Sequence, residues 1–289
     1  MMGMMKLEFD TEERVSLEQQ MERIAFESNF TENLIDLFRN ALPNVVQKIH
    51  EVVSNSFIAK EPDGFFSANA QLKNDFKSLK RKLEASNYLQ FKDVLIEVPE
   101  GFNGNFVDYL DFQDKVFNTM INNGNELLTE YSFILSAFIT NKENKLSLKD
   151  HTGFYRKVQT DRDRLTKEFD KFFNVNSDSP LQKLNQIVGR FEDIEDVVDK
   201  TIKLESNTKK SNLNEIQASV KKIVSYLDIL IKQVQDDSIT KVSGSAARNI
   251  AEGAFEIAKF VEFISLFHFR TEQSVQTTKK LLTKLNNIL

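Results

Sequence analysis

The stretch NFVDYLDFQDKVFNTMINNGNELLTEYSFILSAF, residues 105–138, sets Phe106, Leu110, Gln113, Phe117, Met120, Gly124, Leu127, Tyr131, Leu135 and Phe138 at steps of three and four. That spacing returns to one face of an α-helix at about 3.6 residues per turn and predicts a single helix of roughly ten turns. Gly124 falls on the apolar seam, where a missing side chain lets a neighbouring helix come close. The competing reading takes Asn122-Asn123-Gly124-Asn125 as a turn between two shorter helices.

The same periodicity extends toward the C-terminus. After a polar break at Asn141 to Lys149, Phe154, Val158, Leu165, Phe169, Phe172 and Phe173 mark a helix whose other face, Asp161-Arg162-Asp163-Arg164, is mixed in charge. Ser179-Pro180 reads as a helix start: Ser caps, Pro suits the first turn, and Gln182 completes the box spacing. From there Leu184, Ile187, Val188, Phe191, Ile194, Val198 and Ile202 predict one helix that ends in Ser206 to Ser211. Asn212 with Glu215 opens the next, carrying Ile216, Val220, Ile223, Leu227, Leu230 and Val234. The last helix is expected to begin near Asp237 or Ser238. Its middle, Ala254 to Phe269, is apolar on nearly every side and should be surrounded by partners. Ser243, Ala247, Ala251, Ala254 and Ala258 form a stripe of small residues that permits close helix contact.

Toward the N-terminus the pattern is less regular. Tyr88 to Val98 crowds apolar residues without helical spacing and closes on Pro99-Glu100-Gly101, giving the one credible extended segment. A lone strand leaves its backbone groups unsatisfied, so this segment is either a strand paired with another chain or an ordered loop, and the loop is preferred. Ser67 caps a predicted helix with Leu72, Phe76, Leu79 and Leu83 on one stripe and Lys77, Lys80, Arg81 and Lys82 largely on the other, a solvated basic face. Lys60-Glu61-Pro62-Asp63-Gly64 is a turn and a candidate subdomain boundary. Pro43 should kink or restart the helix carrying Leu34, Leu37 and Phe38 before Val45, Val46, Ile49, Val52 and Val53. Asp10 and Glu13 stand in capping-box spacing ahead of a first helix that ends near Ser28.

Composition narrows the classes. Nine Gly and four Pro in 289 residues are few turn formers, which suits long helices, and 25 Phe without Trp make Phe the main core filler. A net charge of −5 supplies no global positive field, so nucleic acid is not expected as the main partner. The absence of Cys removes disulfides, thiolate nucleophiles and Cys-ligated metals. The start, MMGMMKLEFDTEER, lacks the pattern of a secretory signal, and no run approaches the ~20 apolar residues of a membrane span. Interfacial membrane binding wants a Lys/Arg-rich polar face, whereas the polar faces here are mixed or acidic.

Two acidic series come nearest to chemistry. FEDIEDVVD places Glu192, Asp193, Glu195, Asp196 and Asp199 on one helix, a spacing that can hold a hard cation for phosphate chemistry as in all-α pyrophosphohydrolases. Such sites need a second acidic helix, and the next helix shows no matching pair. Asp108, Asp111 and Asp114 sit at the start of the long helix, where negative charge suits the helix dipole. His50, His151 and His268 belong to no metal-ligating spacing. No phosphate-cradling loop or GxSxG elbow occurs. No catalytic, cofactor-binding or metal-binding residue is therefore assigned.

The segment SGSAARNIAEGA, Ser243 to Ala254, is similar to the NIAEG segment of small four-helix-bundle proteins inserted in some ribosomal RNA operons, over about a dozen residues, and no function is carried across from it. Taken together, the chain is expected to be an all-α, elongated helical bundle with several long helices and at most one short extended segment near residues 88–98. It divides into an N-terminal helical region, 1–100, and a long-helix, coiled-coil-like bundle, 101–289. The expected function is that of a non-enzymatic structural or assembly protein whose partners are other protein chains: copies of itself or a larger shell. A monomeric helical adaptor holding one partner protein is the alternative, and a metal-dependent phosphohydrolase using Glu192, Glu195, Asp196 and Asp199 ranks third. Richness in Lys, Asn, Ile and Phe without Cys or Trp is reminiscent of proteins from AT-rich bacteriophage genomes, which makes a virion component the expected context. Virion or host cytoplasm would then be its location.

Overall fold

The computed structural model describes residues 35–55, 68–83, 92–140, 145–146, 152–173, 180–190, 192–209 and 211–289. In chain order they form α1 (Ile35–Asn55), α2 (Ala68–Leu83), β1 (Leu95–Glu97), α3 (Phe106–Thr140), β2 (Lys145–Leu146), α4 (Thr152–Asp170), β3 (Leu181–Lys183), α5 (Leu184–Ile187), α6 (Asp193–Lys209), α7 (Ser211–Gln235), β4 (Lys241–Val242) and α8 (Gly244–Ile288). Helices hold 83% of these residues, so the fold is an all-α helical bundle. The helix expected from Asp10 and the turn at Lys60 to Gly64 lie outside the described residues.

α3 runs for 35 residues straight through Gly124, so the turn at Asn122 to Asn125 does not form. Asn105 caps it, its Oδ1 accepting from the backbone N–H groups of Val107 at 2.8 Å and Asp108 at 3.2 Å. α1 likewise continues across Pro43 without restarting. No helix among the described residues is long and apolar enough to cross a membrane.

Three expectations are corrected. Residues 95–97 are a strand rather than a loop, and the partner is β3 of the same chain: antiparallel, with Leu95 opposite Lys183, Ile96 opposite Gln182 and Glu97 opposite Leu181. Backbone bonds from Val98 N–H to Pro180 O and from Leu184 N–H to Val94 O, each 2.8 Å, extend the ladder at both ends and satisfy the groups that a lone strand would leave open. Second, Pro180 leads into β3 and not into a helix. The helical run expected from there is cut into the single turn α5 and, after Val188 adopts extended backbone and Gly189-Arg190 pass, α6. The Asp193 carboxylate reaches back to the Arg190 N–H at 2.8 Å and starts α6 afresh. Third, α8 begins at Gly244, not at Asp237 or Ser238. Asp237 turns the chain out of α7 with a left-handed φ of 60°, Lys241-Val242 pair in parallel with Lys145-Leu146, and only then does Ser243 cap the helix through Ala246 N–H.

The chain falls into two compact units, each assembled from three separated stretches. The first takes the described residues of Met1–Ser56, Gly124–Gln159 and Ile216–Val261; the second those of Phe57–Asn123, Thr160–Glu215 and Glu262–Leu289. In the first unit the small-residue stripe does what its spacing predicts: Ala247, Ala251, Ala254 and Ala258 are buried. A Cβ on Gly253 would lie 2.3 Å from Tyr131 Cε2 and 2.9 Å from the Tyr155 hydroxyl oxygen, so the tyrosines rest on bare backbone. Tyr131 donates its hydroxyl to Ile250 O at 2.7 Å.

The core of the second unit is aromatic. Tyr109, fully buried, has ring centroids of Phe102, Phe106, Phe169, Phe172 and Phe173 within 5.3 to 6.0 Å. Edge and tilted contacts of this kind suit the ring quadrupole and add to the area buried.

Candidate functional site

The two acidic series meet in the second unit, but through lysines. Asp111 and Asp114 are one turn apart on α3, and Lys200 and Lys203 are one turn apart on α6, so the helices present complementary pairs at matching pitch. Lys200 Nζ bonds to Asp111, and Lys203 Nζ stands 2.6 Å from Asp114 Oδ2 while Asn207 Nδ2 donates to Asp114 Oδ1 at 3.0 Å. Both oxygens of Asp114 are thereby occupied. With Leu110 and Asp199 these four charged residues line a groove of about 220 Å³.

The other acids of FEDIEDVVD are dispersed. Asp193 serves the start of α6 and lies 3.5 Å from Arg190 Nη2. Glu195 receives Lys80 Nζ from α2 at 2.9 and 3.0 Å. Glu192, Asp196 and Asp199 are exposed. A hard cation wants several oxygen ligands around one point. Among the described residues, no three His, Asp or Glu side chains converge in that way. What the arrangement does is clamp α6 between α2 and α3. Asp114→Asn keeps the shape and removes the charge, and should cost about 1 kcal/mol of stability in urea titration. A loss too small to resolve would mean that the clamp contributes nothing.

His50 Nε2 lies 3.2 Å from Asp228 Oδ1 on the surface, burial holds the His268 imidazole below its usual range, and His151 is outside the described residues. Of the basic cluster on α2, Lys77, Lys80, Arg81 and Lys82 are all exposed as expected, with Lys82 Nζ bonded to Asn286 O at 3.0 Å.

The sequence signalled a buried polar seam only by placing Gln113 among apolar residues. Gln113, fully buried, donates to the Tyr109 hydroxyl at 3.0 Å and accepts from Ser274 Oγ at 2.9 Å. Thr201 and Thr278 share a second buried bond at 2.9 Å. Burial drives the Tyr109 phenol well above its ordinary pKa, so it stays neutral and available as the acceptor for Gln113. The Arg270 guanidinium lies 4.0 Å from the Phe173 ring centroid and donates to Gln273 Oε1 at 2.9 Å. Of these contacts, Gln113 with Ser274 ties α3 to α8, and Thr201 with Thr278 ties α6 to α8.

The described residues form an all-α bundle in which polar side chains tie α6 to α2, α3 and α8, and α3 to α8. No protein-family model matches the chain, and no curated protein or solved structure matches it significantly.

Proposed function

We propose that the chain is a non-enzymatic structural or assembly protein that acts through helix packing and associates with other protein chains, copies of itself first. The observation that carries this reading is the use made of its acids. Asp111, Asp114 and Glu195, members of the two series with cation-binding spacing, each end on a lysine of another helix. Large apolar side chains are left at the surface, among them Phe133 at 69% exposure on α3, which is consistent with contacts to further chains. A bacteriophage virion is the proposed setting, supported by composition: rich in Phe, without Cys or Trp.

Light scattering with size-exclusion chromatography on the full chain tests the reading. Between about 1 and 100 µM, spanning usual association constants, the mass should rise above that of one chain. A strict monomer across that range would rule out self-assembly and favour the monomeric adaptor.

A further inference from the structure

We infer that the paired outer faces of α2 and α6 form a self-complementary interface for a second copy of this chain, resting on the self-association proposed above. α2 turns Leu72 and Leu79 inward, both fully buried, and sets Lys73, Lys77 and Arg81 at i, i+4 and i+8 on its exposed side. These three share one stripe, with no acid on it. α6 buries Ile194, Val197 and Val198 and leaves Glu192, just ahead of the helix, with Asp196 and Asp199 at i, i+4 and i+7, all exposed. The two helices are neighbours in the second unit, joined by Lys80 and Glu195 at 2.9 Å. A basic stripe therefore runs beside an acidic one, with a satisfied ion pair between them.

The six flanking charges differ from that central pair. Among the described residues, none of Lys73, Lys77, Arg81, Glu192, Asp196 and Asp199 takes part in an ion pair. In the same unit Asp111 pairs with Lys200 and Asp114 with Lys203 across helices. Three cations and three anions exposed on two neighbouring helices are what a twofold axis can use. Rotation of a second copy lays its acidic stripe on the first copy's basic stripe and the reverse, so both sets are neutralised in one closed isologous contact. A different partner would have to carry the same two tracks in opposite order at the same spacing. The chain itself carries them by construction. Its net charge of −5 makes copies repel at long range, so the contact must come from this local complementarity.

Charge exchange in the full chain tests this, leaving Lys80 and Glu195 untouched. One variant carries Lys73→Glu, Lys77→Glu and Arg81→Glu; the other carries Glu192→Lys, Asp196→Lys and Asp199→Lys. Each alone faces itself with like charges on both tracks, and its dimer should dissociate at least about tenfold more readily than the parent. An equimolar mixture restores both attractions, so the dimer mass should return. The parent dimer should also weaken as salt rises from about 0.05 to about 0.5 M, which shortens the screening length. Circular dichroism checks that each variant folds, and the single changes Lys77→Glu and Asp196→Lys give the same pattern at smaller amplitude if a triple variant does not. Parent-like association in both variants, or variants that stay apart when mixed, would overturn this interface while self-association itself stands. A parent that never associates would remove the proposed function along with it.

Discussion

Replacing Tyr109 with alanine is expected to cost the second unit about 3–5 kcal/mol, the range of large aromatic deletions in packed cores. Five phenylalanine rings surround it within 6.0 Å, drawn from the loop before α3, from α3 itself and from the end of α4 onward, so the cavity cannot be closed by one neighbour moving in. The same residue accepts the amide of Gln113, whose other end is tied to Ser274 of α8. Tyr109→Phe separates the two roles. It keeps the ring packing and leaves a buried Gln113 N–H without its acceptor, which should cost about 1–3 kcal/mol. Urea unfolding followed by circular dichroism reads both values. Phe133→Ala serves as the control, because that ring is 69% exposed and its loss should be near zero. A Tyr109→Ala chain no less stable than the Phe133→Ala chain would show that the ring cluster is not the centre of this unit.

How far the sequence announced this arrangement depends on the range of the contact involved. The seam from Phe106 to Phe138 is local information, repeated turn after turn, and it marked α3, while leaving open whether Asn122 to Asn125 breaks it; the structure carries the helix through. The small stripe from Ala247 to Ala258 was legible for the same reason. Ser179-Pro180 misled because a capping Ser followed by Pro satisfies the local rules for a helix start and also those for a strand. The choice was made by β1, whose Ile96 meets Gln182 from 86 positions away. β2 and β4 contribute two residues each, too few to display any period. The acids Asp111 and Asp114 could be read as a series and so could the acids of α6. That Lys200 and Lys203 would meet the first series is a matter of register between helices 89 residues apart, which no local pattern encodes. Tyr109 was missed although it stands three residues after Phe106 and four before Gln113: the seam was drawn through its neighbour Leu110, and the two positions are buried side by side.

Gly124→Ala is expected to destabilise the first unit by about 1–3 kcal/mol, against the direction of helix propensity. In a helix interior, alanine in place of glycine normally gains about 0.8–1.0 kcal/mol. At this position the added Cβ would stand 1.9 Å from Phe260 Cζ, 2.3 Å from Cε2 and 2.8 Å from Cε1. Real carbon atoms do not approach so closely, and Phe260 is 1% exposed, so its ring has no free space to turn into. Steric cost therefore exceeds the gain in backbone order. Gly153 supplies the opposite case: it lies exposed in the first turn of α4 with nothing within 4 Å of the position its Cβ would take, and Gly153→Ala should stabilise by up to about 1 kcal/mol. The coupling between Gly124 and Phe260 can be measured directly. Adding Phe260→Leu to Gly124→Ala removes the far end of the ring, so the double variant should recover about 1 kcal/mol or more relative to the sum of the two single changes. If the two effects simply add, or if Gly124→Ala stabilises as Gly153→Ala does, then α3 and α8 do not approach within reach of that ring. The seam glycine would then be a weakness of α3 and not the reason α8 can lie against it.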